Sequence, residues 1–179
     1  MLDFIHSKLI FLTKKYIPVY TNIVGVDMFI YDVCRKFEED KILYAIVGGY
    51  AVALHGAVRG TVDIDIVIHW SLANLRKVEK SLEELGLKSR LPIDAKSVYD
   101  FREEYIKNRN LIAWTFFDPQ NGAKQVDVVI SYDLKGAKIK KIKTSKGTIR
   151  LLSLEDLIEM KKESGRPQDL EDVQALEKL

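Results

Sequence analysis

A single cysteine, Cys34, in 179 residues excludes an internal disulfide and a cysteine-based zinc cluster. It falls in a helical pattern, where its role is packing. Neither charge sign prevails: 28 Lys and Arg face 26 Asp and Glu, so no global basic excess announces nucleic-acid binding. Long apolar runs are missing too. Asp3, Lys8, Lys14, Lys15 and Pro18 interrupt the N-terminal apolar pieces well before the length of a membrane span. The early acid and scattered lysines also spoil the charged-then-apolar order of a secretion signal, so the expected location is the cytoplasm, with no membrane partner. No internal repeat or low-complexity linker divides the chain. Its length suits one domain or a domain with a small appendage: a helical segment over 1–40 packing on a core of 41–150, then a helical pair over 151–179.

What is present concentrates between residues 46 and 66. A glycine pair, Gly48 and Gly49, leaves an apolar strand, and two carboxylates, Asp63 and Asp65, alternate with Ile64 and Ile66. Side chains at i and i+2 of a strand share a face about 7 Å apart. Asp63 and Asp65 then point together as a cation seat while the isoleucines enter the core. The glycines lack the Cβ that would hinder a sharp turn into a helix and hold a ligand off the backbone. A short helix over 50–55, ended by Gly56 and Gly60, would set its first amides beside the acids, where a helix N-terminus favours phosphate. The competing reading is an edge strand whose acids face water.

A third acid weighs against that reading. Segments 111–117 and 123–130 read as strands about loop 118–122 with Asn-Gly turn chemistry, and Asp127 stands among Val126, Val128, Val129 and Ile130. An acid in such a run is costly unless a cation or hydrogen bonds compensate it; otherwise it occupies a solvent-facing strand position. Arg59 and Thr61 lie just before the first acid, near enough in sequence for a guanidinium to reach phosphate oxygens, with a plain surface arginine as the other reading. His55 reads as a helix-end residue rather than a catalytic base.

Elsewhere the pattern predicts a helix over 5–16, then Asp27 capping a helix over 28–40 with Tyr31, Cys34 and Phe37 on one side. Strands over 43–47 and 63–68 flank the glycine site. Ser71 caps a helix that Gly86 stops after Leu85, and Asp94 caps another through about Arg109. Lys135, Lys138, Lys140, Lys141, Lys143, Lys146 and Arg150 form a stretch without an acid. It suits either phosphate contacts with RNA or a solvated hairpin, turning near Lys146-Gly147, whose lysines protect a sheet edge. No aromatic residue interleaves, so base stacking has no support there. Near the end, Ser153 is an N-cap with Asp156 at N3, Gly165 stops that helix, and Pro167 opens another; Leu154, Leu157, Ile158 and Met160 cover the core. The fold class is α+β or α/β, helices outside a small mixed sheet.

Val47-Gly48-Gly49 followed by Asp63-Ile64-Asp65-Ile66 resembles the signature of the DNA polymerase beta-like nucleotidyltransferase superfamily. Lys161, Arg166, Asp169 and Asp172 resemble the end of the AbiEii-type and minimal nucleotidyltransferase families. The resemblance implies a nucleotidyltransferase fold and magnesium-dependent transfer of a nucleoside monophosphate from a triphosphate such as ATP to an acceptor hydroxyl, with release of pyrophosphate. It implies two Mg²⁺ ions on Asp63, Asp65 and Asp127, the last also helping to deprotonate the hydroxyl. Gly48, Gly49, Arg59, Thr61 and Lys161 would contact the nucleotide. Arg166, Asp169 and Asp172 either order a loop and assist proton transfer or form an ion pair pinning two helices. Members act on tRNA ends, proteins or aminoglycosides, and some are toxins with a cognate antitoxin. The basic stretch favours RNA or protein as acceptor in a toxin-like enzyme. The acidic stretch 155–172 keeps an aminoglycoside-type transfer open, and a non-catalytic nucleotide-binding module is the alternative of another class.

Overall fold

Ile64, Ile66 and Ile68 are fully buried, and the strand that carries them forms the middle of the molecule. The structure, a computed structural model, describes residues 26–179; the helix expected over 5–16 lies outside the described residues. In chain order the elements are α1 (Val26–Glu39), β1 (Tyr44–Ile46), α2 (Gly48–His55), β2 (Ile64–Ile68), α3 (Leu72–Glu84), β3 (Lys88–Ser89) and α4 (Ala95–Asp100). There follow α5 (Arg102–Arg109), β4 (Ala113–Phe117), β5 (Gln125–Val129), β6 (Ile139–Thr144), β7 (Gly147–Leu152), α6 (Leu154–Ser164) and α7 (Pro167–Leu176). The strands make one mixed sheet in the order β3-β4-β5-β2-β1-β7-β6. This is the α/β architecture that the alternation of apolar runs with capped helical patterns leads one to expect.

Two parallel pairings position the chemistry. β2 runs parallel to β5, placing Ile64 beside Val126, Asp65 beside Asp127 and Ile66 beside Val128. On the other side β2 pairs antiparallel with β1, and β1 pairs parallel with β7. Trp114 and Phe116 of β4 complete the fully buried layer, their rings 4.6 Å apart. Burying each such side chain stabilises the fold by about 1.5–3 kcal/mol, so the strands that carry the acids are anchored by their alternate residues.

The caps act where expected. Ser71 Oγ accepts from the Asn74 amide, Asp94 Oδ1 from Ser97 and Ser153 Oγ from Asp156. Gly165 closes α6 at φ +64, and Pro167 opens α7. Several boundaries differ. The first helix already includes Asp27, so that residue lies inside it and does not cap it. The helix expected from Asp94 to about Arg109 is two, because Phe101 leaves helical geometry at φ −109, ψ 20. The break aims Arg102, whose Nε donates to the Ile130 carbonyl at 2.7 Å and whose guanidinium lies 4.0 Å over the Trp70 ring. The short helix begins at Gly48 and not at residue 50, and Gly56 alone caps it, with φ +122. Asp63 stands in the bend before β2, one residue short of the strand.

At the far sheet edge β6 and β7 form a hairpin turning at Ser145-Lys146. Lys138, Lys140, Lys141, Lys143 and Lys146 are exposed on or beside it. Arg150 instead turns to α1, where Nη2 meets Glu38 Oε2 at 2.8 Å. Cys34 is buried in the same region, and burial pushes its thiol up to about 11. No helix among the described residues is long and apolar enough to cross a membrane.

Candidate active site

A glycine at the end of β1 leaves a gap, and the chain fills it with its own acid. A Cβ at Gly48 would fall 1.8 Å from Asp65 Oδ2, and one at Gly49 would fall 2.6 Å from Thr61 Cβ. Thus the space that a side chain would need at these two positions is taken by Asp65 and Thr61. The Val47 amide donates to the Asp65 carbonyl at 2.9 Å, which fixes the strand end. Thr61 Oγ1 donates to the Asp63 carbonyl at 3.4 Å, a long contact. Together these hold the segment that presents both acids.

Asp63, Asp65 and Asp127 share one neighbourhood: Asp65 stands in register beside Asp127, and the charge of Asp127 acts on both other acids. Burial first, then the charges of Asp127 and Asp63, push Asp65 up to about 6, against the pull of Lys161 and Arg166. Burial and Asp127 likewise raise Asp63, with Arg90 acting in the opposite direction. Asp127 Oδ2 accepts from Gln125 Nε2 at 3.0 Å. Its Oδ1 is buried and has no hydrogen-bond partner among the described residues. A carboxylate oxygen left that way costs about 1–3 kcal/mol or more, a cost that a bound cation or hydroxyl would remove.

Among the described residues no group of three His, Cys, Asp or Glu side chains is arranged to hold a metal ion by itself. Mg²⁺ does not need such a cage. It keeps several waters and is bound through one or two carboxylates together with substrate phosphates. Asp65 and Asp127, in register on adjacent strands, with Asp63 just before the first of them, fit that habit.

The remaining candidates form a chain of alternating charges behind the acids. Lys161 is buried, with Nζ 2.9 Å from Asp169 Oδ1 and 2.7 Å from Asp172 Oδ2. Arg166 Nε and Ser164 Oγ donate to Asp169 Oδ2 at 2.7 and 2.8 Å. Arg59 Nε lies 3.3 Å from Asp172 Oδ1, and its Nη1 donates to the Gly60 carbonyl at 2.6 Å. Burial opposes ionisation of Asp169, but bonds from Arg166, Lys161 and Ser164 prevail and pull it down to about 2. Lys161 and Arg59 therefore meet carboxylates of α7, and Arg166 pairs with Asp169 as the ion-pair reading has it. His55 Nε2 meets the Leu152 carbonyl at 2.9 Å, and burial holds its ring below the ordinary imidazole range.

Two neighbours of the acids escaped sequence reasoning. Gln125 precedes Asp127 by two on β5, on the same face, and Arg90 Nη2 donates to Gln125 Oε1 at 2.9 Å. The i, i+2 spacing could have drawn attention to Gln125. Nothing local marks Arg90, which follows the two-residue strand β3.

Comparison with known proteins bears on the family and the fold. The profile of the family described as nucleotidyltransferase of unknown function (DUF6036) matches residues 22–177. Among curated proteins none matches. An antigenic nucleotidyltransferase-like protein from Paracoccidioides brasiliensis is similar in structure, at TM-score 0.55 and 18% identity over 84% of this chain and 74% of that one. ANT(2″)-Ia in complex with adenylyl-2″-tobramycin superposes at TM-score 0.54 with 15% identity, covering 83% and 86%. The lincosamide antibiotic adenylyltransferase LnuA, lincomycin-bound, does so at 0.53 and 16%, covering 84% and 95%. At these identities the likeness is one of fold.

Proposed function

The chain belongs to this nucleotidyltransferase family, and on that premise we propose that it transfers a nucleoside monophosphate from a triphosphate, ATP among the candidates, to an acceptor hydroxyl. The observation that carries the reading is Asp65 in register beside Asp127, with one Asp127 oxygen buried and unpartnered. Asp63, Asp65 and Asp127 would hold Mg²⁺, in the two-ion arrangement common to such sites, which when bound stabilises the attacking and leaving oxygens of an in-line displacement. Asp127 accepts the acceptor's proton as its oxygen bonds to the α-phosphorus. The bond from that phosphorus to the bridging oxygen breaks, and pyrophosphate leaves. Backbone amides at Gly48 and Gly49 face the phosphates at the start of α2. Thr61 and Arg59 border the same loop, with Arg59 leaving Asp172 to meet the triphosphate. Lys161, its ammonium already taken up by two carboxylates, contributes positive charge to the nucleotide side through its field.

For the acceptor, the exposed β6–β7 hairpin favours RNA or a protein surface in a toxin-like enzyme of the cytoplasm with a cognate antitoxin. Lys138, Lys140, Lys141, Lys143 and Lys146 make no ion pair among the described residues. The likeness of Lys161, Arg166, Asp169 and Asp172 to AbiEii-type and minimal nucleotidyltransferases supports the same choice. A small-molecule acceptor is the second reading, because two structural neighbours carry an antibiotic or its adenylylated form.

The test is label transfer from α-labelled triphosphates with RNA, protein and aminoglycoside acceptors, with and without Mg²⁺. Label should move only with the ion, and Asp65→Asn should reduce transfer at least about a hundredfold while remaining folded. No transfer to any acceptor with any triphosphate would leave a nucleotide-binding module instead.

A further inference from the structure

We propose that Gln125 is a positioning residue for Asp127 and that Arg90 sets its orientation; the proposal rests on the active-site reading above. A guanidinium only donates hydrogen bonds. Because Arg90 Nη2 lies 2.9 Å from Oε1 of Gln125, the amide oxygen must face Arg90. The amide NH₂ then has one direction left, toward Asp127, and Nε2 stands 3.0 Å from Oδ2. Turned over, the same amide would set its oxygen against a carboxylate oxygen.

The consequence falls on the other oxygen. With Oδ2 held by Gln125, the Asp127 carboxylate cannot rotate freely, and Oδ1 becomes the atom offered to cation or hydroxyl, buried and unpartnered. Arg90 is itself steadied. Its guanidinium lies 5.1 Å over the Phe117 ring, Phe117 pairs with Gln125 across the β4–β5 ladder, and its backbone amide donates to the Thr115 carbonyl at 2.9 Å. An exposed cation on the loop after β3 thereby fixes the geometry of a carboxylate two side chains away. Groups of this kind orient ligating carboxylates, and their loss typically costs about 10–100-fold in metal affinity or activity.

The experiment compares Gln125→Met, Arg90→Met and Arg90→Lys, each in the parent and in Asp127→Asn. Mn²⁺ affinity is read by electron paramagnetic resonance with a non-hydrolysable ATP analogue present, and kcat and KM for triphosphate by label transfer. Gln125→Met keeps the length of the side chain but cannot donate. It should weaken Mn²⁺ and lower kcat by about 10–100-fold with KM little changed, and should add nothing in Asp127→Asn. Arg90→Met, at an exposed position that leaves the core untouched, should give a smaller loss of the same kind, and Arg90→Lys, still a donor, should recover it. Parent-like Mn²⁺ affinity in both Met variants, or equal losses with and without the Asp127 carboxylate, overturns the proposal. If Asp127→Asn alone changes neither Mn²⁺ binding nor transfer, the active-site reading itself falls, and this proposal with it.

Discussion

Gly48 and Asp65 occupy a space that only one side chain can fill: a Cβ at position 48 would lie 1.8 Å from the Asp65 carboxylate. Gly48 also adopts φ +61, where a side chain is strained. The glycine is thus required twice, for its backbone and for its neighbour, and that neighbour is the acid that burial pushes up to about 6.

Gly48→Ala should therefore remove transfer to at least the extent of Asp65→Asn, about a hundredfold or more, and destabilise the protein by over about 1 kcal/mol from the backbone alone. Adding Asp65→Ala should return part of that stability, because the collision is gone, with no return of activity. Parent-like transfer by Gly48→Ala, measured with labelled triphosphate, would show that the Asp65 carboxylate need not stay where it is.

Lys161 joins Asp169 to Asp172 in a buried cluster, so Lys161→Met should leave Asp169 to Arg166 and Ser164 and Asp172 to Arg59, and cost at most about 3–5 kcal/mol in urea unfolding. The acid limb follows from Asp169, which is held at about 2 in the fold. A carboxyl lowered in the native state adds stability that is present above its unfolded value of about 4 and lost as pH falls through the folded value. The parent's advantage over Asp169→Asn should hold at pH 6 and shrink between pH 4 and pH 2. A difference that stays constant across that window contradicts the ion-pair account.

If the β6–β7 hairpin guides RNA, changing Lys138, Lys140 and Lys141 together to Gln should weaken binding and flatten its dependence on salt. Removing three phosphate contacts lowers the log–log slope by about 2 for single strands. Filter binding across a salt series reads this directly. Equal slopes for parent and variant return the hairpin to the role of a protected sheet edge.

What could be read from the sequence was short-range. The glycine pair, the alternation of Asp63 and Asp65 with isoleucines, and the acid inside the run 126–130 each lie within one turn or one strand, where period and propensity operate. Ser71, Asp94 and Ser153 likewise announce their helices, because a cap acts within three residues. The partners were not legible. That the Cβ-free space at Gly48 belongs to Asp65 depends on how β1 meets β2, and that the Lys161 ammonium is shared by Asp169 and Asp172 depends on how α6 packs on α7. Phe101 breaks a helix that propensity would continue, since Arg102 gains the Ile130 carbonyl and the Trp70 face. Arg90 reaches Asp127 through Gln125, across the β3–β4–β5 pairings that no local pattern encodes.

Mutual repulsion of the acids offers the most direct test of the central claim, that Asp63, Asp65 and Asp127 form one metal–triphosphate site. Asp65 is raised to about 6, and a carboxyl raised in the fold contributes stability that is lost as pH rises through that value. Above pH 7 the ligand-free protein therefore carries the full repulsion. Mg²⁺ with a triphosphate relieves it and binds only the native state, which raises Tm by linkage; triphosphate alone meets the same negative charges. The measurement is Tm at pH 7.5 with Mg²⁺, with ATP and with both, for the parent and Asp127→Asn. The account predicts a joint shift of several degrees in the parent, larger than the two single shifts combined and much reduced in the variant. Identical shifts in parent and variant under all three conditions would contradict it.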